Sequence, residues 1–225
     1  MKKISILIIS DTHSKHKQLL DLPDADVIIH CGDISSIGKE HEIQNFLKWY
    51  SKLNQYQYKI FISGNHDWLF EKNGALARSL VRDYDNIIYL EDTGIEIMRL
   101  NFYGTPVSKP FCNWAFNRHP DKLIEHWKAI PDNTDVLITH APPHQMLDYV
   151  PWQNDNEGSP TLRIEIQERI KPLLSVFGHI HEGYGHIKIG ETTFINASNL
   201  NRNYECINMP VLVEIIDKNV NIINY

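Results

Sequence analysis

Eight residues of this sequence share a chemistry and a placement. Asp11, His13, Asp33, Asn65, His66, His140, His179 and His181 each stand where a short apolar run gives way to a polar turn. ISILIIS runs into Asp11-Thr-His13, DVIIH into Cys-Gly-Asp33, and YKIFIS into Gly-Asn65-His66-Asp67. DVLIT runs into His140-Ala-Pro-Pro, and LLSVF into Gly-His179-Ile-His181. All eight offer oxygen or imidazole nitrogen, and none is a cysteine. That donor set suits Mn²⁺, Fe, Zn²⁺ or Co²⁺ better than a thiolate zinc site or an iron–sulfur cluster. Asp11 and Asp33 bring two negative charges and neutral histidines bring none. Two divalent cations would leave a net positive pocket, and phosphate is the obvious anion for it. A carboxylate lying between two cations can bridge them, as in two-metal hydrolases.

Each residue alone has a blander reading. A strand-end Asp11 is commonly a turn residue, Asp33 belongs to a Gly-Asp turn, and Asn65 after glycine is an ordinary turn residue. His140 before Ala-Pro-Pro reads equally well as a loop histidine. The force of the set lies in its members recurring together at strand ends, where open α/β sheets gather their ligands.

The elements that must position them follow from the same pattern. The runs are apolar on both faces, as strands covered on both sides should be. Between them, Ile43, Phe46, Leu47 and Tyr50 in KEHEIQNFLKWYSK keep the spacing of one buried helix face. TLRIEIQERI reads as a second helix, ended by Lys171-Pro172. After Tyr184 the pattern changes to short alternating strands. The expected fold is α/β, a β-sandwich of two mixed sheets flanked by helices, more antiparallel towards its end. Residues 104–135 and 141–160 are rich in Pro, Gly, Asn and aromatics and read as long functional loops. Among their aromatics, Phe111, Trp114, Phe116 and Trp152, the one most open to stacking on a substrate base is Trp114. His16 and His144 lie in loops that reach towards substrate, and His30 ends a strand beside the site. His41, His119, His126 and His186 read as structural: His41 on the polar side of the first helix, His119 and His126 flanking a surface helix, and His186 in a strand. Asp67 either caps a helix or orients His66.

Composition narrows the class. With 225 residues, 42% hydrophobic and 22% charged, the chain is expected to be one soluble domain spanning 1–225. A net charge of −6 and no long basic run disfavour long nucleic acid as a partner. Three scattered cysteines read as reduced thiols and a cytoplasmic location. The start, MKKISILIIS, has the charge of a signal peptide, but its apolar run is short and ends in Asp11, so it reads as a buried strand. No stretch is long enough to span a membrane.

The motif series DTH (11–13), GD (32–33), GNHD (64–67), TH (139–140) and GHIH (178–181) resembles the calcineurin-like metallophosphoesterase superfamily, in the family's order. GTP (104–106), NWAFN (113–117), THAPP (139–143), HEGYG (181–185) and INAS (195–198) are more similar to its metallophosphoesterase domain-containing subgroup than to protein phosphatases. Some members of that subgroup carry glycine where His179 stands; this chain keeps the histidine. The resemblance implies a first metal on Asp11, His13, Asp33 and His181. Asp33 would bridge to a second, completed by Asn65, His140 and His179. His66 would not be a ligand but would act on the substrate as general acid or charge stabiliser, with Asp33 and His66 as the catalytic pair and Asn65, His66 and Trp114 as substrate contacts. The cofactor implied is two divalent ions, Mn²⁺ first. The activity implied is hydrolysis of a small diester, a cyclic nucleotide among the candidates, by metal-activated water. The alternatives are a phosphomonoesterase or protein phosphatase, and a binding or scaffold protein on the same fold. No arginine directly follows GNH or GD to grip a monoester dianion.

Overall fold

The computed structural model describes residues 3–224. Two six-stranded sheets pack face to face. The first contains β1 (Lys3–Ile9), β2 (Val27–His30), β3 (Tyr58–Phe61), β4 (Ile88–Tyr89), β13 (Val211–Ile216) and β14 (Asn219–Ile223), ordered β14-β13-β1-β2-β3-β4. The second contains β5 (Thr93–Ile97), β6 (Leu100–Thr105), β7 (Val136–Thr139), β10 (Leu174–Phe177), β11 (Gly185–Ile189) and β12 (Thr192–Asn196), ordered β11-β12-β10-β7-β6-β5. A two-stranded hairpin, β8 (Tyr149–Val150) and β9 (Asp155–Asn156), stands apart from both. Neighbours β1 to β4 run parallel, as do β6, β7, β10 and β12, while β5, β11, β13 and β14 close the edges antiparallel.

The doubly apolar strands have the cause expected of them. In β1, Ile6 and Ile8 face the opposite sheet with Val27, Ile29, Val136, Ile138 and Val176. Leu7 and Ile9 face outwards onto Phe46, Leu47 and Tyr50 of α1 (Glu40–Tyr50). Phe70 of α2 (Trp68–Lys72) and Ala77 and Val81 of α3 (Gly74–Arg82) belong to the same layer. Fully burying one such aliphatic side chain contributes roughly 1.5–3 kcal/mol. The second sheet's outer face, with Tyr103, Leu137, Phe177 and Phe194, is covered by Leu123 and Trp127 of α4 (Pro120–Ala129), Leu162 of α5 (Pro160–Ile164) and Ile166 of the wider π-helical turn Glu165–Ile170. Lys171, at φ 49°, ends that helix before Pro172, as the sequence predicts.

Two expectations are corrected here. Residues 104–135 are not one loop: β6 extends to Thr105, and 120–129 form α4, the surface helix expected beside His119 and His126, started by Pro120 at its first turn. Only two side chains of α4, Leu123 and Trp127, are buried, too few to raise a clear period. The segment 141–160 holds the β8–β9 hairpin and the start of α5. Because the central strands are parallel within each sheet, their carboxyl ends lie along one edge. A bridge between Ser10 and Ser198, with Asn199 N donating to Ser10 O at 3.0 Å, joins the two sheets there.

Candidate metal centre

That shared edge collects the polar residues. The turns after β1, β2 and β3 supply Asp11, His13, Asp33, Asn65 and His66, and those after β7 and β10 supply His140, His179 and His181. Asp11, His13, Asp33 and His179 adopt positive φ, 52°, 40°, 54° and 68°. L-residues rarely occupy this region, and such strain gathers at functional sites. Cross-loop bonds hold it: His13 N donates to Asp33 O at 3.0 Å, His66 N to Asp33 Oδ1 at 2.8 Å, and His179 N to Asp11 Oδ2 at 3.0 Å. The motif glycines answer to the same crowding. A Cβ on Gly178 would fall 1.9 Å from Asp11 Oδ2, and one on Gly64 2.3 Å from Asp33 Oδ1. His179 and His181 converge on one pocket from outside any strand. β10 ends at Phe177, His179 is left-handed, and His181 opens a single 3₁₀ turn. Ile180 between them is buried by this turn rather than by a pleat.

The side chains form two overlapping groups. His13 Nε2 lies 3.3 Å from His181 Nε2 and 3.6 Å from Asp33 Oδ2, and His181 Nε2 lies 3.8 Å from Asp11 Oδ1. On the other side His140 Nε2 lies 3.4 Å from Asp33 Oδ2 and 2.8 Å from Asn65 Oδ1, with the His179 ring 5.0 Å from that of His140. Asp33 belongs to both. His66 Nε2 approaches the same Asp33 oxygen at 4.0 Å. Three triads have donor atoms close enough for one cation: Asp11, His13 and His181; His13, Asp33 and His66; Asp11, Asp33 and His140.

The donors fit cations. Nδ1 of His140 meets Cys31 O at 2.9 Å and Nδ1 of His181 meets Asn201 O at 3.0 Å; a carbonyl only accepts, so both Nδ1 atoms carry the hydrogen. Each Nε2 then presents a lone pair to carboxylate or carbonyl oxygens, which repels unless a proton or metal ion lies between. Backbone carbonyls orienting the remote nitrogen are what ligating histidines have. Without metal, a proton takes that role at His140. Burial alone would lower its pKa, but the Asp33 carboxylate raises it to about 9. Asp33, which burial would raise, is held well below the usual carboxylate range by the His140 and His66 imidazoles. Burial, with His140 beside it, pushes His179 down to about 3. Burial likewise holds His13 at about 4. Both are neutral and ready to ligate at physiological pH.

Asp67 stands at the N-cap position of α2 but its side chain makes no capping bond, and among the described residues it makes no bond to the His66 ring. Its carboxylate accepts from Gly64 N at 2.8 Å, Ile34 N at 3.2 Å, and Ser35 N and Oγ at 3.0 and 2.5 Å, tying the second motif turn to the third. Its burial, with Asp33 nearby, raises it to about 7. His30 sits where expected, bonded through Nε2 to Thr12 Oγ1 at 2.9 Å. His16 does not reach the cleft: it is buried against Phe46 and Trp49. Nor does His144, which lies beside Asp148 at 3.7 Å. His41, His119 and His186 are exposed, and His126 pairs with Asp92.

A cleft opens over the cluster, walled by Lys109, Phe111, Trp152, Arg202 and Tyr204. A second depression, lined by Lys15, Ser36, Ile37 and Trp114, meets it at His13, His66 and Tyr204. Sequence reasoning missed Lys109, Arg202 and Tyr204, which lie in loops with no period. The Lys109 ammonium is held by Glu157 at 2.5 Å, and the Arg202 guanidinium lies 3.8 Å over Trp152. The Trp114 indole stacks on His66, with ring centroids 4.1 Å apart.

A helix-flanked double sheet with carboxylates, imidazoles and an amide converging at its strand ends defines a two-sheet metal-dependent hydrolase. Residues 4–183 match the family model for calcineurin-like phosphoesterase. Over 228 aligned residues the chain is 36% identical to human metallophosphoesterase domain-containing protein 1, covering 92% of this chain and 69% of that one. It is 34% identical to a UPF0046 protein of Caenorhabditis elegans, covering 94% of this chain and 60% of the other. Among solved structures, the protein TT1561 of Thermus thermophilus shares the fold with a TM-score of 0.71 at 14% identity, covering 99% of both chains. The chain belongs to the calcineurin-like metallophosphoesterase family, and it is a metal-dependent phosphoester hydrolase. Among the described residues no helix is long and apolar enough to cross a membrane.

Proposed function

We propose that the protein is a binuclear phosphodiesterase acting on a small nucleotide-like diester, cyclic ones included, with Mn²⁺ as its cation. Residues 1–225 act as one phosphoesterase domain, in the cytoplasm, a setting that free Cys31, Cys112 and Cys206 suit. One observation carries the diester reading. The cluster is bonded to imidazoles, backbone groups and a hydroxyl, and among the described residues no Lys or Arg side chain bonds to it. A monoester dianion calls for additional charged donors, and a diester monoanion does not. The Phe111, Trp152 and Tyr204 walls suit a flat base, and Trp114 borders the second branch of the cleft.

Asp11, His13, Asp33 and His181 hold one cation, and Asp33, Asn65, His140 and His179 the other. Seven donors exceed the four to six or so that one first-row cation takes. Bound cations supply Lewis-acid charge neutralisation and bring the pKa of water towards neutrality. The chain's own groups then orient substrate and move the proton. His66 Nδ1–H donates to Ser36 O at 2.6 Å, which turns Nε2 towards the cluster; as the imidazolium, with a proton on each nitrogen, the ring passes the Nε2 proton to the leaving oxygen and is left neutral with its Nδ1–H bond intact. Asn65 Nδ2 has no hydrogen-bond partner among the described residues and is free to donate to a phosphoryl oxygen. A phosphomonoesterase reading has one observation in its favour: Arg202 lines the cleft without a carboxylate partner among the described residues. Protein loaded with Mn²⁺ decides between them. It should hold close to two ions per chain by elemental analysis and cleave bis-p-nitrophenyl phosphate with higher kcat/KM than p-nitrophenyl phosphate. Saturation at one ion sinks the binuclear centre, and the reverse substrate order sinks the diester preference.

A further inference from the structure

We propose that Trp114 is a positioning residue for His66, an aromatic brace that fixes the direction of the proton-donating nitrogen. The inference rests on the reading of His66 as the group that protonates the leaving oxygen. Three contacts define that ring. Ser36 O holds Nδ1 at 2.6 Å. The His13 ring meets it edge-on, with centroids 4.5 Å apart at 85°. The Trp114 indole covers one face at 4.1 Å and 23°. The hydrogen bond alone is a pivot about which the imidazole can swing. The stacked indole removes that freedom and leaves Nε2 facing Asp33 Oδ2.

The brace is itself built in. Ala115 N donates to Asn65 O at 3.1 Å, so the loop carrying Trp114 is bonded to the residue preceding His66. Phe116 N donates to Glu71 Oε2 at 3.2 Å, and Arg118 grips the same carboxylate at 3.1 Å. Glu71 lies on α2, the helix that follows His66. Ser108 N to Phe116 O at 3.0 Å and Arg118 N to Ser108 O at 2.9 Å close the loop's base. Anchoring therefore falls to Ala115 and Phe116, which are buried, whereas Trp114 is only half-buried. Its indole does not hold the loop down, and the face turned to His66 is not open to a substrate base.

The test combines kinetics with a measurement on metal-free protein. Trp114→Ala, Trp114→Phe, His66→Ala and the Trp114→Ala/His66→Ala double variant are compared on two diesters. Bis-p-nitrophenyl phosphate has a leaving group that needs little protonation. Glycerol 1,2-cyclic phosphate has an alkoxide leaving group and no ring to stack. Trp114→Ala should lower kcat on the cyclic ester about 10–100-fold, the scale of a misplaced catalytic group, and should barely affect the aryl ester. KM and metal content should hold, Trp114→Phe should recover most of the loss, and the loss should vanish when His66 is already alanine. The proposal is overturned if Trp114→Ala mainly raises KM for the aryl ester, the mark of a stacking platform. It is equally overturned if the loss persists without His66, or falls alike on both leaving groups. In metal-free protein, the indole ring current should shift the His66 ring protons upfield in NMR, and Trp114→Ala should abolish the shift. Unshifted protons refute the brace whether or not any diester is turned over. Shifted protons in a wild-type protein that hydrolyses no diester refute the phosphodiesterase reading and leave the brace in place.

Discussion

Two sets of histidines lie close to β1 and β2, and they have opposite fates. His13 and His140 are 4% and 0% exposed and point at Asp33; His16 and His30 are both 0% exposed and pack with Phe46, His16 also against Trp49. Both rings of the first set have the Asp33 carboxylate within reach, and His140 also has the Cys31 carbonyl behind it, whereas His13 Nδ1 has no hydrogen-bond partner among the described residues. In the second, among the described residues, His30 has one bond, to Thr12, and neither nitrogen of His16 has a hydrogen-bond partner. Burial lowers His16 to about 4 and His30 to about 3, so both are neutral at physiological pH and serve as packing. Burial of a titratable ring therefore does not make a site; convergence on opposite charge does. The side of the sheet on which the ring falls decides between the two.

That contrast can be broken or sharpened by substitution. The largest effect is expected at Asp33, the carboxylate shared by both halves of the cluster. Asp33→Asn should remove nearly all turnover and at least one ion while the fold is kept, as read by metal analysis and circular dichroism. Should His181→Ala prove far more damaging, the shared role belongs elsewhere. Next comes His66→Ala, expected to lower kcat by about 10²–10⁴ on alkoxide-leaving esters with metal content retained. Loss of metal from this variant would make His66 a ligand, as its place in one of the triads allows.

The smallest effect on turnover is expected from His16→Leu, which should leave kcat and metal content unchanged. Its signature lies in stability against pH. The folded pKa of His16, about 4, is below its unfolded value of 6.5, so the folded state binds fewer protons. Its contribution is complete above pH 6.5 and is lost as pH falls towards about 4. Leucine should remove up to the order of 3 kcal/mol of that acid destabilisation. Urea titrations at pH 7 and pH 4.5 read it directly: an unchanged difference between the two would place a partner or water at the His16 ring.

Much of this was legible in the sequence. Runs apolar on both faces, each ending in Asp, Asn or His, announce covered parallel strands with ligands at one edge, and the eight residues do meet there. Less legible were features that period and residue type do not encode. α4 shows only as a surface helix flanked by His119 and His126, with no readable period, because Leu123 and Trp127 alone turn inward. His16 and His13 are three residues apart and look alike on paper, yet Ser14, also left-handed, turns the chain between them. Asn201, Arg202 and Tyr204 sit in a turn of no regular pattern, although its first carbonyl fixes His181.

That last turn constrains any attempt to redesign the enzyme. Asn201 O holds His181 while the next residues, Arg202 and Tyr204, shape the cleft wall, so on the proposed ligand set one short segment would govern both metal affinity and substrate fit. Lengthening it to admit a bulkier ester should loosen the ion at the same stroke, a trade-off visible as a rising metal requirement in directed-evolution variants. The β8–β9 hairpin supplies Val150, Trp152 and Gln153 to the same wall and, among the described residues, makes no hydrogen bond to a metal-ligand side chain. β8 nevertheless packs against the 3₁₀ turn that carries His181, so Gln153 at the hairpin's tip is the place where selectivity should change with least effect on the ions.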